Sequence, residues 1–297
     1  MFVAGAVICG GAQCAHCDFH RGGFVRIPRI YQPIPLNSGQ VIELDAQATV
    51  HLTKVLRLRV GDALVVFNGE ERGEGRYGES NGESGGESGE AGEYTARVNE
   101  VGRRSATIEI GDFVACSVES PLELVLLQGI SRGERMDYTV QKAVELGVSC
   151  IVPVTTERTV VNLKGDRQAR RCDHWQSVVN SACEQSGRNR VPRVAEVTPF
   201  STAIKEASGL KLVLHHRAET DLGSLPVPQG PVNLLIGPEG GLSAQEIAAA
   251  EAAGFVPLRL GPRVLRTETA ALAAMSVLQW QWGDFSATGG TVTGNAE

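Results

Sequence analysis

The stretch LLIGPEGGLSAQEI, residues 234–247, joins an apolar run to a glycine-bearing loop and then to a helix signal, and LGPRVLRTETAAL, residues 260–272, repeats that order of features. The loops Ile236–Gly241 and Leu260–Thr267 each follow what reads as a short buried strand, and each leads into a helix. This pattern places both at the same edge of a sheet, and ligands of open α/β sheets bind at that edge, beyond the carboxyl ends of the strands. Ser243 followed three residues later by Glu246 is a capping-box signature for the helix after the first loop. Ala271, Ala274, Met275, Leu278 and Trp282 fall at helical spacing after the second.

Working outward, Leu122–Leu127 is a continuous apolar run, as a strand buried on both faces would be. Cys150–Val154, Lys211–Leu214, Val232–Ile236 and Val256–Leu260 read as further strands. Met136, Val140, Ala143 and Val144, with Gly147 as a stop, and Trp175, Val178, Val179, Ala182 and Cys183 read as helical stripes. Strands alternating with helices predict a parallel α/β domain over residues 119–285. Upstream, Val41–Leu44, Ala63–Phe67, Tyr94–Val98 and Ala106–Ile110 read as strands and Asp45–Leu56 as one short helix, which predicts a small β-barrel-like domain over residues 25–118.

The formal charge of -6 is concentrated in one place. Glu70, Glu71, Glu74, Glu79, Glu83, Glu87, Glu90 and Glu93 stand against only Arg72 and Arg76, so the rest of the chain is neutral. Residues 70–93 lack apolar periodicity and read as a flexible insertion at a hairpin tip. Residues 1–24 and 286–297 read as disordered extensions. Cys14, Cys17 and His20 have partial zinc-site spacing, but no second cysteine pair follows as in a zinc ribbon, so no metal is expected. The 7 cysteines lack a regular disulfide spacing, no apolar run approaches the ~20 residues of a membrane span, and the opening residues lack a basic leader segment. These features predict a cytoplasmic protein whose chain starts in effect near Val25.

The first loop has neither the Lys-Ser/Thr of a phosphate-binding P-loop nor the GxGxxG spacing of a dinucleotide fold, and Glu239 would repel a phosphate. A nucleoside carrying an amino-acid tail fits better. In the second loop Arg263, Arg266 and Glu268 crowd a helix start for which Thr267 is the expected cap. Arg26, Arg29, Lys54, Arg57 and Arg59 form the basic set of the first domain, and Arg57 and Arg59 share one face if the segment is extended. They read either as a phosphate-backbone grip or as a solvated basic edge. Arg188 and Arg190 similarly read as phosphate ligands or as complements to a helix dipole.

At RIPRIY (26–31), HLTKVLRLRVGD (51–62), SRGERMDYTVQKAVELGV (131–148), ACEQSGRNRVP (182–192) and the two loop segments, the chain resembles the bacterial 16S ribosomal RNA uracil-N3 methyltransferases of the SPOUT superfamily. The resemblance implies a PUA-like RNA-binding barrel, an α/β methyltransferase domain with a deep trefoil knot, and a homodimer acting on 16S ribosomal RNA in the small ribosomal subunit. It implies S-adenosylmethionine as the methyl donor, bound by Leu214, His215, Ile236, Gly237, Pro238, Glu239, Gly240, Gly241, Leu260, Gly261, Arg263, Val264, Leu265 and Arg266. Methyl transfer then requires an aligned uracil N3 and removal of its proton. Glu184, Glu239 or Glu268 are the candidate acceptors, and Arg266 or Arg132 the candidates for stabilising charge on the uracil oxygens, with Arg266 and Glu268 favoured. A non-catalytic RNA-binding assembly factor and a SPOUT enzyme with another target nucleotide remain alternatives.

Overall fold

The computed structural model describes residues 27–69, 91–161, 165–216, 218, 220 and 222–286. The expected N-terminal extension with Arg26, most of the acidic insertion and nearly all of the tail lie outside the described residues. The chain divides into two compact units. The first comprises the described residues up to Glu119 together with Cys183–Val191, and the second comprises Ser120–Ala182 and the residues from Pro192 onward.

The first unit is a five-stranded sheet of β1 (Arg29–Tyr31), β2 (Val41–Glu43), β3 (Ala63–Phe67), β4 (Gly92–Val101) and β5 (Ala106–Ala115), in the order β1-β3-β4-β5-β2. β1 pairs parallel to β3 and the remaining neighbours are antiparallel. Its three residues just after Pro28 are too short a run for alternation to reveal. Asp45 caps α1 (Ala46–Val50), its Oδ1 accepting from the Ala48 N–H at 2.7 Å. The expected helix then widens into a π-helical turn, His51–Leu56, and stops at Arg57, which adopts a left-handed φ of 56°. Ile30, Leu52, Leu64, Val66, Ile108 and Ile110 are the centre of this unit's core.

Segment 183–191, expected within the second domain, belongs with the first unit because its polar groups are satisfied there. Arg188 Nε donates to Glu119 Oε2 at 2.8 Å, and Asn189 Nδ2 donates to the Cys116 carbonyl at 3.1 Å.

The second unit is a parallel sheet of seven strands: β6 (Leu124–Gly129), β7 (Cys150–Thr155), β8 (Arg193–Val194), β9 (Thr198–Pro199), β10 (Leu210–Leu214), β11 (Val232–Ile236) and β12 (Val256–Leu258). The order is β12-β10-β11-β6-β7-β8, with β9 also on β7. Every pairing is parallel, so all carboxyl ends share one edge. The chain leaves β6 toward β7 on one side and later fills the β11 side, which makes the β6/β11 border a switch point where a crevice opens.

Helices α2 (Glu134–Glu145), α3 (Asp166–Ser186), α4 (Phe200–Glu206), α5 (Ala244–Ala252) and α6 (Thr267–Trp282) connect the strands or follow them. Ala203, Ile204 and Ala250 of α4 and α5 pack with Leu127, Val154, Val213 and Leu235. Met136, Val140, Ala143 and Val144 of α2 and Ala271, Ala274, Met275 and Leu278 of α6 are buried as their spacing predicted, and α2 packs against α6. The capping box at Ser243 and Glu246 is formed in full. No helix among the described residues is long and apolar enough to cross a membrane.

Candidate active site

Three segments emerge from the carboxyl ends of β10, β11 and β12 in the second unit and enclose a cavity of about 560 Å³, a size suited to a small-molecule ligand. Leu214–His216, Ile236–Leu242 and Leu258–Gly261 with Arg263–Glu268 supply most of its wall, so every residue expected to hold the cofactor lines one cavity. Sequence reasoning missed Arg135, Arg158 and Arg259, which also line it. Arg158 had a readable signal, since it lies just beyond the carboxyl end of β7. Its Nη1 donates to the Gly240 carbonyl at 2.9 Å. A Cβ on Gly240 would stand 3.0 Å from the Arg158 Cβ, so the loop runs close over this side chain.

Glu239 is held at the start of α2 and is not open to a substrate proton. Its Oε1 accepts from the Arg132 backbone N–H at 2.8 Å and from Arg135 Nη1 at 3.3 Å. Partial burial pushes its carboxyl upward, but the hydrogen bonds from the Arg132 N–H and its own N–H, with the Arg135 charge, outweigh this and leave its pKa below the ordinary value. A carboxylate stabilised in this way is a poor base. Arg132 lies outside the cavity lining, and its backbone rather than its guanidinium makes the contact.

Thr267 does not cap α6 as expected. The N-cap is Arg266, whose side chain makes no capping bond, and Thr267 Oγ1 instead donates to the Gly237 carbonyl at 2.7 Å. Arg266 is exposed at the cavity and Glu268 is half-buried in its wall. Glu268 Oε2 is buried with no hydrogen-bond partner among the described residues. Arginines 135, 158, 259, 263 and 266 give the wall a strongly positive charge.

Glu184 belongs to the first unit, where its Oε1 accepts from the Tyr31 N–H at 3.0 Å. Burial raises its pKa, and the Tyr31 hydrogen bond only partly offsets this. Two residues of the expected RNA grip are corrected by burial. Arg29 is 5% exposed and paired with Glu93, and Arg188 is 6% exposed and paired with Glu119, so neither guanidinium is presented to an RNA backbone. Lys54, Arg57, Arg59 and Arg190 are exposed, although the left-handed Arg57 breaks the extended geometry on which its pairing with Arg59 relied. Among the described residues no group of His, Cys, Asp and Glu is placed to hold a metal ion.

Residues 118–279 match the model of an RNA methyltransferase domain, and residues 44–77 that of an RNA methyltransferase PUA domain. The chain is 35% identical over 264 residues to ribosomal RNA small subunit methyltransferase E of Buchnera aphidicola subsp. Schizaphis graminum, covering 88% of this chain and 99% of the relative. Among solved structures it is similar to a Legionella pneumophila protein in complex with S-adenosylmethionine, at 40% identity and a TM-score of 0.79, covering 88% of this chain and 100% of that one. It is also similar to ribosomal RNA small subunit methyltransferase E of Neisseria gonorrhoeae bound to S-adenosylmethionine, at 38% identity and a TM-score of 0.76, with the same coverage of 88% and 100%.

Proposed function

We propose, since this chain belongs to the RNA methyltransferase family, that it transfers the methyl group of S-adenosylmethionine to N3 of a uracil in 16S ribosomal RNA. The observation that carries this reading is the cavity at the strand ends, where apolar Leu214, Ile236, Val264 and Leu265 share a wall with Arg266 and Glu268. Apolar side chains and glycine backbone suit a nucleoside with an amino-acid tail, so the residues present fit the donor.

Bound there, S-adenosylmethionine supplies a methyl group on a sulfonium, which needs only an aligned nucleophile. The chain's own residues must hold uracil in line and take its N3 proton. Glu268, in the cavity wall, accepts that proton. Arg266, at the start of α6, places its guanidinium beside the uracil oxygens, where charge develops as the proton leaves.

The remaining parts of the reading are supported in finer ways. The exposed Lys54, Arg57, Arg59 and Arg190 grip the ribosomal RNA backbone from the first unit, part of which matches an RNA methyltransferase PUA model and whose five-stranded sheet supports a PUA-like barrel. The second unit is the SPOUT domain. Its trefoil knot is supported by the path of the chain from the edge strand β12 back to the central β11, where Thr267 meets Gly237. Homodimerisation uses the exposed Val277 and Trp280 on α6, the latter 63% exposed, together with the exposed Tyr138 on α2. The enzyme works in the cytoplasm, and among the described residues Cys150, Cys172 and Cys183 are free thiols.

Calorimetry with S-adenosylmethionine, followed by transfer of labelled methyl to small ribosomal subunits, tests the proposal. Saturable binding and label in RNA are expected. Absence of binding heat would favour a non-catalytic RNA-binding factor.

A further inference from the structure

Gln128 is the fifth residue of β6 and is fully buried, a position where a parallel strand ordinarily carries an apolar side chain. Strand alternation puts it on the face opposite Leu127, on the side of α6. Its Nε2 donates to Thr267 Oγ1 at 3.0 Å and to the Gly129 carbonyl at 3.0 Å, while Thr267 Oγ1 donates to the Gly237 carbonyl at 2.7 Å. Gln128 Oε1 has no partner among the described residues. The amide therefore sits in the core with half of its hydrogen-bonding capacity unused, at a cost in stability that its two donated bonds must offset.

Two neighbours show what those bonds hold. Thr267 opens α6 just after the second loop, and Gly237 opens the first loop. At Gly129, beside Gln128, a Cβ would stand 2.5 Å from the Pro238 nitrogen, so the first loop's backbone lies directly on the end of β6.

We propose that Gln128 is a positioning residue for methyl transfer: acting through Thr267, it fixes the Gly237 loop and the start of α6 relative to one another without itself lining the cavity. The proposal rests on the reading of this cavity as the S-adenosylmethionine site. The chain of bonds has a direction. An amide N–H can only donate, so the threonine oxygen accepts from it and the hydroxyl proton is committed to the Gly237 carbonyl. A glutamate at position 128 has the same shape but accepts when ionised, which turns the hydroxyl proton away from Gly237. A valine at 267 removes both bonds while keeping the shape, and a serine keeps both.

The test compares the full-length parent with Gln128→Glu, Thr267→Val and Thr267→Ser, by calorimetry with S-adenosylmethionine and by steady-state kinetics on small ribosomal subunits. Thr267→Val and Gln128→Glu should each weaken S-adenosylmethionine binding and raise its KM by about tenfold, the effect of losing one buried hydrogen bond, with the KM for RNA unchanged. Thr267→Ser should recover most of the loss seen in Thr267→Val. Should the buried glutamate prevent folding, Gln128→Met, which removes the donated bonds without burying a charge, takes its place and should show the same loss. Unchanged cofactor binding in Thr267→Val, an equal rise in both KM values, or no recovery in Thr267→Ser would overturn the proposal. A parent that binds no S-adenosylmethionine would overturn the cofactor assignment together with it, whereas a binding parent with equally binding variants would overturn only the role of Gln128.

Discussion

Arg29 and Glu93 form an ion pair inside the first unit, with each side chain only 3% exposed. The guanidinium lies 4.7 Å from the Phe67 ring centroid, and its Nη2 donates to Asn189 Oδ1 at 2.6 Å. Removing one partner of a buried pair strands the other charge, so Glu93→Ala should destabilise the protein by about 3–5 kcal/mol. Urea denaturation measures this, and a loss within the range of ordinary surface substitutions would contradict the pairing. The same contact sets a limit on trimming the acidic segment, because a deletion of residues 70–93 also removes Gly92 and Glu93 from β4.

For the reaction itself, Arg266→Ala should lower turnover by about a hundredfold, as loss of a charge-stabilising group commonly does, with near-normal S-adenosylmethionine affinity. Glu268→Gln should act in the same sense, since a neutral amide cannot take the N3 proton. Its loss should diminish as pH rises and uracil ionises unaided. Single-turnover methyl transfer across pH reads both effects, and parent-like turnover in either variant would remove that residue from the mechanism.

The loops were legible because each carries its glycines directly after a buried strand, and backbone direction then places both at one edge. The partners of individual charges were not legible. Glu239 read as an open carboxylate because the groups that hold it, the Arg132 N–H and Arg135, come from a distant helix start. Arg29 read as surface charge because Glu93 was counted with the acidic segment, although it lies on β4 and points into the core. Thr267 carried the composition of a helix cap, and only the packed structure shows its hydroxyl committed to Gly237.

Glu239 provides a pH test. Its folded pKa lies below its ordinary value, so its stabilising contribution is fully present above the ordinary glutamate range and is lost as pH falls through the lowered folded value. The difference in Tm between the parent and Glu239→Gln should therefore stay constant from neutral pH into the ordinary glutamate range and close only in stronger acid. Closure already at mildly acid pH would show that the carboxylate is not held.

Burial pushes the Cys183 thiol up to about 12. Iodoacetamide at mildly alkaline pH should leave Cys183 unmodified in the native protein and alkylate it after denaturation, as mass mapping of peptides would show. Rapid native alkylation would mean that this part of α3 opens.

Methylation of the predicted base is the most direct test of the central claim. Small ribosomal subunits from a strain lacking this protein, incubated with the purified chain and S-adenosylmethionine, should gain one methyl mass on a single uridine of 16S ribosomal RNA. Nucleoside analysis should identify the product as 3-methyluridine. No gain, or a methyl group on a ribose or on another base, would contradict the account.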